Sequence, residues 1–166
     1  MRKLLSLLLA LSCLMSLAAC GGESIRVEYD ADKLYPGNDI HLTFLYADSA
    51  AESVKILVEN NSSHELIFGH PFFTFSRKTA GGWKCISPDP NWAYTLEACY
   101  LSPGESAELE MSTVRYLEEL RPEETYRACF EFWYSTDNPE ADGSGNFQSI
   151  QHEAYLLCDF EIPAIP

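Results

Sequence analysis

Residues that could carry out catalysis are few in this chain of 166 residues, and they lie far apart. The four histidines, His41, His64, His70 and His152, show no HExxH or similar spacing that would place two metal ligands on one helix face. No GxSxG or SxxK motif supplies an activated serine, and no glycine-rich loop could hold a phosphate. We therefore predict that the protein is not an enzyme and has no cofactor.

Metal ligands are equally sparse. The four cysteines that follow residue 20 are separated by 14, 30 and 29 residues, which differs from the paired CxxC spacing of zinc sites. The segment 138–143 (NPEADG) places oxygen ligands before a glycine as a calcium loop does, but the twelfth position is Ser149 instead of an acid. An acidic, solvated hairpin tip is the better interpretation, and we predict no metal site.

The same four cysteines are better explained as two disulfides. Cross-strand partners in a hairpin lie equidistant from the turn between them. Cys129 and Cys158 are centred on the turn signal at 142–145 (DGSG), and Cys85 and Cys99 are centred just after the strand breaker PDPN. We therefore predict the pairs Cys85–Cys99 and Cys129–Cys158. A bridge between sheets from Cys85 to Cys129, as in antibody-type domains, is the alternative.

Four aromatic residues are candidates for ligand binding. Trp83, Trp92, Tyr94 and Trp133 have flat faces that could stack on sugars, although burial in a core explains such residues equally well. The proline-rich loop 87–98, braced by the first predicted disulfide, could instead be presented to a protease, since bracing lowers the entropy cost of binding. Solvent exposure of the rings would distinguish these interpretations.

The first twenty residues have the parts of an export signal. Arg2 and Lys3 precede an apolar run, which ends in small residues before Cys20. The apolar run is interrupted by serines and is shorter than the roughly 20 residues that span a bilayer. We therefore interpret it as a cleaved leader and not as a membrane span.

The end of this leader, LAAC at 17–20, resembles the lipobox of bacterial lipoproteins. The resemblance implies that residues 1–19 are a lipoprotein signal peptide and that Cys20 is acylated. The protein would then be anchored by lipid on the extracytoplasmic face of the cell membrane. Residues 20–24 would form a short tether, and residues 25–166 a single domain.

The charge balance excludes one class of partner. The chain has 11 Lys and Arg against 25 Asp and Glu, a net charge of −14. Loss of residues 1–19 removes two basic residues and no acidic ones, which leaves 9 against 25 and a net charge of −16. Such a surface repels nucleic-acid phosphates and also disfavours direct adhesion to anionic lipids. We expect a monomer that contacts the membrane through its lipid anchor, binds no nucleic acid, and has a protein or a cell-envelope component as partner.

The elements that must position these residues are short strands. From residue 25 onward, apolar residues alternate with polar ones between turn residues. One helical turn is predicted near 114–120, where Arg121-Pro122 ends it. The spacing is typical of an antiparallel β-sandwich. The predicted strands are 25–30, 39–46, 53–60, 65–69, 72–78, 83–87, 93–100, 105–111, 125–134 and 150–162.

Several motifs resemble a bacterial immunoglobulin-like domain found in Gram-positive lipoproteins. They are VKILVENNSS (54–63), IFG (67–69), GGWK (81–84), LSPGE (101–105) and YLEELRP (116–122), followed by Tyr126-Arg127. The resemblance implies an all-β, immunoglobulin-like antiparallel β-sandwich, and it brings no catalytic residues. The family pattern has glycine after the proline and directly before the Tyr-Arg pair, whereas this chain has Glu123-Glu124-Thr125.

Three hypotheses for function follow. The leading one is a lipid-anchored, non-catalytic binding or scaffold module, which rests on analogy between folds. The alternatives are a protease inhibitor that presents the loop 87–98 and a carbohydrate-binding module that uses the four aromatic residues.

Overall fold

The computed structural model describes residues 26–47, 52–87, 91, 97–116, 120–137 and 149–163. The predicted signal peptide, Cys20, Trp92 and Tyr94 therefore lie outside the described residues. Within the described residues, no helix has the length and apolar character needed to cross a membrane.

Strands dominate the described part of the chain. They are β1 (Ile40–Ala47), β2 (Ser53–Asn60), β3 (Leu66–Gly69), β4 (Phe73–Thr79), β5 (Gly82–Ile86), β6 (Ala98–Leu101), β7 (Ser106–Ser112), β8 (Thr125–Asp137) and β9 (Ser149–Glu161). Two 3-10 turns occur, Ala31–Lys33 and Thr113–Arg115. The second turn is the predicted helical turn, which begins one residue early, and residues 117–119 lie outside the described part. The predicted first strand forms only an isolated bridge, between Arg26 and Lys84.

The strands form two antiparallel sheets. The smaller sheet has the order β1-β2-β7. In the larger sheet β8 pairs with β9, β4 and β3, while β5 pairs with β4 and β6 pairs with β3. The predicted all-β antiparallel sandwich is confirmed, and it has the two-sheet arrangement that the immunoglobulin-like resemblance implies.

The core lies between the two sheets and follows the predicted alternation. Val54, Ile56 and Val58 of β2 are fully buried, as are Phe130 and Phe132 of β8. Full burial of such a side chain contributes about 1.5–3 kcal/mol. Across the interface, the rings of a phenylalanine from β1 and one from β9 stack with centroids 4.8 Å apart. Apolar burial of these alternating residues therefore holds the sheets together.

Asn60 is a fully buried polar residue that joins the sheets at one end. Its Nδ2 donates to the carbonyl oxygens of His64, at 2.8 Å, and Leu101, at 2.9 Å. Its Oδ1 accepts from the backbone N–H of Ser62 at 3.1 Å and from the Ser62 hydroxyl at 2.6 Å. Because Leu101 belongs to the larger sheet and Asn60 to the smaller one, this network explains the NNSS motif as a link between the layers.

Tyr126 forms a corner at the start of β8. Its hydroxyl accepts from the backbone N–H of Arg121 at 2.7 Å and donates to Glu124 Oε2 at 2.9 Å. Burial raises the pKa of Tyr126 to about 12. Glu123, at the position where the family pattern has glycine, takes a positive φ of 60°. This corner is therefore formed without glycine, at a cost in backbone strain.

The predicted disulfide between Cys129 and Cys158 is wrong, and both residues are free thiols. In the β8–β9 ladder Cys158 lies opposite Ala128, whereas Cys129 lies opposite Leu157. The hairpin is thus centred half a residue from the predicted midpoint. Because side chains alternate across a strand, a shift of one register position sends the two sulfurs to opposite faces of the sheet.

The predicted Cys85–Cys99 bridge is also absent, since Cys99 carries a free thiol. Cys85 on β5 lies opposite Ser76, and Cys99 on β6 lies opposite Phe68. Their strands therefore pair with different neighbours. The alternative bridge from Cys85 to Cys129 is not formed either, because Cys129 is a free thiol.

We expect peptide mapping of the protein under non-reducing conditions to find no peptide that links Cys129 to Cys158 or Cys85 to Cys99. Alkylation in denaturant without reductant should then label Cys99, Cys129 and Cys158. A linked Cys129–Cys158 peptide would contradict the β8–β9 register, because directly bonded cysteines need Cα atoms within about 7 Å and side chains on one face.

The substitution Glu123→Gly should stabilise the domain by about 0.5–1 kcal/mol, because glycine adopts positive φ without steric cost. The backbone N–H of Glu123, which donates to Ile162 O at 2.9 Å, is kept. The opposite change, Gly104→Ala, is the matched control. Gly104 has φ +81° and open space around its Cα, so alanine there should cost about 1 kcal/mol through the backbone alone. Urea unfolding of both variants measures the change in the free energy of unfolding, which should be positive for Glu123→Gly and negative for Gly104→Ala. An unchanged or lower stability of Glu123→Gly would contradict backbone strain at Glu123.

Candidate binding groove

The larger sheet contains an interrupted strand. β9 occupies one edge of β8 along its whole length, so β3 and β4 lie end to end along the other edge. Ile67 pairs with Trp133, and Phe73 pairs with Phe130. Along the chain, Ile67 and Phe73 are six residues apart, whereas their partners on β8, Trp133 and Phe130, are only three residues apart. Three extra residues must therefore bulge from the sheet between β3 and β4.

The bulge is packed through its aromatic rings. The His70–Pro71 peptide bond is cis. The ring of His70 lies on that of Phe72 with centroids 3.7 Å apart, and Phe72 contacts the buried ring of Phe68 edge-on at 6.0 Å. His70 Nδ1 is buried and has no hydrogen-bond partner among the described residues. Ring contacts thus hold the bulge in place, and they leave one polar atom unsatisfied.

The strand position on the far side of β3 and β4 is also divided between two strands, β5 and β6. β5 pairs with β4, and β6 pairs with β3, so the break between β5 and β6 lies beside the break between β4 and β3. The connection between β5 and β6 is the predicted loop 87–98, of which residues 88–90 and 92–96 lie outside the described part. Its Glu97 and Ala98 contact the same cavity as the bulge. The described end of this connection therefore borders the site.

This site is a groove of about 450 Å³ on the outer face of the larger sheet. Glu131 and Trp133 of β8 line its floor, and both side chains are exposed, Trp133 by 42%. They share a face because they are two residues apart on a strand. Ile67, Phe72 and Ala98 supply apolar walls. An exposed aromatic ring in a mostly apolar depression is typical of a ligand site.

The segment 26–35 crosses the rest of the outer face. The backbone N–H of Val27 donates to Trp83 O on β5 at 3.0 Å, and that of Tyr35 donates to Tyr155 O on β9 at 2.9 Å. Between these points the Tyr155 hydroxyl donates to the carbonyl of Asp30. A second depression, of about 250 Å³, lies against this segment. It shares Thr74, Cys129 and Glu131 with the groove, so the two form one continuous surface.

Beyond this surface, Arg127 is enclosed by other side chains. Its Nε and Nη2 donate to the two carboxylate oxygens of Asp159 at 2.6 and 2.8 Å. Its guanidinium lies 4.1 Å from the ring centroid of Trp83 and 5.4 Å from that of Tyr29. One face of Trp83 is thus taken by an internal cation, which makes this tryptophan a packing residue and not an open platform for a sugar.

Cys129, which contacts both depressions, is not an activated nucleophile. It is 5% exposed, and burial raises the pKa of its thiol to about 12, with the nearby Glu131 carboxylate adding to the shift. A catalytic cysteine needs the opposite, a pKa lowered toward neutrality. The described residues of the groove therefore offer binding contacts and no nucleophile of this kind.

Of the four predicted aromatic binding residues, Trp133 lies exposed in the groove, Trp83 is packed under Arg127, and Trp92 and Tyr94 lie outside the described residues. Sequence reasoning missed Glu131, although its alternation with Phe130 and Phe132 already placed it on the face of Trp133. The role of Glu97 could not be read from any local pattern, because it depends on how β6 pairs with β3.

Comparisons with known proteins identify no relative. No protein-family model, no curated protein and no solved structure matches this chain. Among the described residues, no group of three or more His, Cys, Asp or Glu side chains could hold a metal ion. The lipobox and the immunoglobulin-like resemblance stay predictions, and the function must be argued from the groove itself.

We expect the Cys129 thiol to resist alkylation by iodoacetamide at pH 8 in the native protein and to react at once in denaturant. Its raised pKa leaves almost no thiolate in the folded state at that pH. The variant Cys129→Ser identifies the labelled peptide. Between the ordinary thiol pKa of 9.0 and the folded value of about 12, rising pH should lower the free energy of unfolding, because only the unfolded chain readily loses this proton. Rapid native labelling of Cys129 at pH 8 would contradict its burial.

Proposed function

We propose that this protein is a lipid-anchored, extracytoplasmic binding module without catalytic activity, and that it holds a protein or a cell-envelope component in the groove beside β8. The observation that carries the proposal is the groove itself, an open depression of about 450 Å³ with Trp133 exposed in it. Exposed tryptophan is costly to leave in water and is strongly enriched at the centres of binding sites.

The order of the chain supports a tethered module. Arg26, the first described residue, lies six positions after Cys20 and bridges to Lys84 on β5. Six extended residues reach about 20 Å at most. An acyl group on Cys20 would therefore keep the β5 edge near the membrane. The groove opens between β3, β6 and β8, away from β5, and would stay accessible to partners.

The protease-inhibitor alternative loses its main premise. It required the loop 87–98 to be braced by a disulfide, and the Cys85–Cys99 bridge is absent. The carbohydrate alternative keeps one described aromatic residue, Trp133, since the face of Trp83 is taken by Arg127. Glu97 and Glu131 beside Trp133 carry negative charges that a neutral sugar does not compensate, so binding of a protein or envelope component is the better-supported function.

Site-specific photocrosslinking in living cells tests the proposal. With p-benzoylphenylalanine in place of Trp133, we expect ultraviolet light to yield a discrete crosslinked product, because the groove is the surface that a partner covers. The control carries the same residue in place of Thr43, an exposed position on β1 of the other sheet. Identical products at both positions, or no product at position 133, would overturn the groove as the binding site.

A further inference from the structure

The charges around the groove have one sign. Glu97 and Glu131 are its only charged lining residues among those described, and both are exposed. Neither forms an ion pair with another described residue. The adjoining depression adds Glu28, Asp30 and Glu153 against a single cation, Lys33. Carboxylates thus outnumber cations along the whole surface.

The nearby cations are already engaged. Lys33 Nζ lies 2.7 Å from Glu153 Oε2, and this ion pair lies on the exposed surface. Arg127 holds Asp159 in a bidentate pair and is enclosed by two aromatic rings. Each of these two cations has its own carboxylate partner, and neither forms an ion pair with Glu97 or Glu131. The groove has room for a positive charge that the described residues do not supply.

The apolar part of the groove restricts what can carry that charge. Ile67, Phe72 and Ala98 form walls against which an aliphatic chain would pack, and Trp133 offers an exposed ring. A lysine or arginine side chain combines an apolar stem with a cationic head. Its head gains from an aromatic face as well as from carboxylates, whereas a neutral sugar can donate hydrogen bonds to the carboxylates but brings no opposite charge, and a phosphate is repelled.

We propose that the groove binds a basic segment of a partner protein, with a lysine or arginine side chain inserted along Trp133 toward Glu131 and Glu97. The inference rests on the proposed binding function and specifies its ligand. The volume of about 450 Å³ exceeds that of one side chain and leaves space for the apolar neighbours of the basic residue. The acidic net charge of −14 speeds approach of such a segment from a distance.

The probe for the test is the blocked peptide Gly-Gly-Leu-Lys-Leu-Gly-Gly, titrated into the full protein in detergent at low and at physiological salt. Matched peptides carry norleucine or glutamate in place of lysine, and cellohexaose is the sugar probe. We expect the lysine peptide alone to bind, with an affinity that falls as salt rises and with the tryptophan fluorescence of the protein changing on binding. Binding of the lysine peptide, measured by calorimetry, should persist in Trp133→Phe and be lost in Trp133→Ala, which locates the peptide in the groove, while the fluorescence change should disappear in both variants.

The variant Glu131→Gln should weaken binding of the lysine peptide by about two- to fivefold, the range for one exposed charge pair. Glu110→Gln is the matched control, since it changes the net charge equally on β7 of the other sheet. Equal losses in both variants would mean diffuse attraction and would overturn the inference. Equal binding of the norleucine peptide, or binding of cellohexaose alone, would also overturn the inference of a basic ligand. Either result would still agree with the proposed binding function of the groove. If no probe binds and no crosslink forms at position 133, the proposed binding function is contradicted as well.

Discussion

The ladder between β8 and β9 is the constraint on which the rest of the structure depends. Its pairs run without interruption from Thr125–Glu161 to Asp137–Ser149. This register decides which side chains enter the core and which reach the outer face. It directs Phe130 and Phe132 inward, and by the same alternation it leaves Glu131 and Trp133 outside. It also separates Cys129 from Cys158. Stability therefore comes from pairing and apolar burial, without a bond between the sulfurs.

Because β9 fills one edge of β8 completely, the other edge must accept both β3 and β4. Three residues too many lie between the two strands, and they form the bulge at His70–Phe72. The groove is a consequence of that mismatch. Its position on the outer face keeps it apart from the core, so a ligand could occupy it without disturbing the packing of the two sheets. The unsatisfied Nδ1 of His70 is a local cost of this arrangement.

The outer face of the larger sheet is used in two ways. Near β5, the segment 26–35 covers Ser76 and Arg127, and the aromatic and ionic contacts there are internal. Near β6, the surface is open, and its carboxylates face solvent. Asn60 links β2 of the smaller sheet to Leu101 of β6, a strand that borders the groove. The open site therefore stands on a firmly connected part of the fold, which favours recognition by a preformed surface.

The sequence by itself determined the all-β class, nearly all strand positions and the alternation of apolar and polar residues along them, because each depends on a local pattern. It could also have placed Glu131 beside Trp133. Tertiary structure alone decided the rest. A register difference of one position decided that Cys129 and Cys158 do not face each other. A turn signal several residues wide does not resolve such a difference. The groove arose from two strands sharing one edge of β8, and Glu97 reached it through β6. Such pairings join residues far apart in the chain, and no local pattern encodes them.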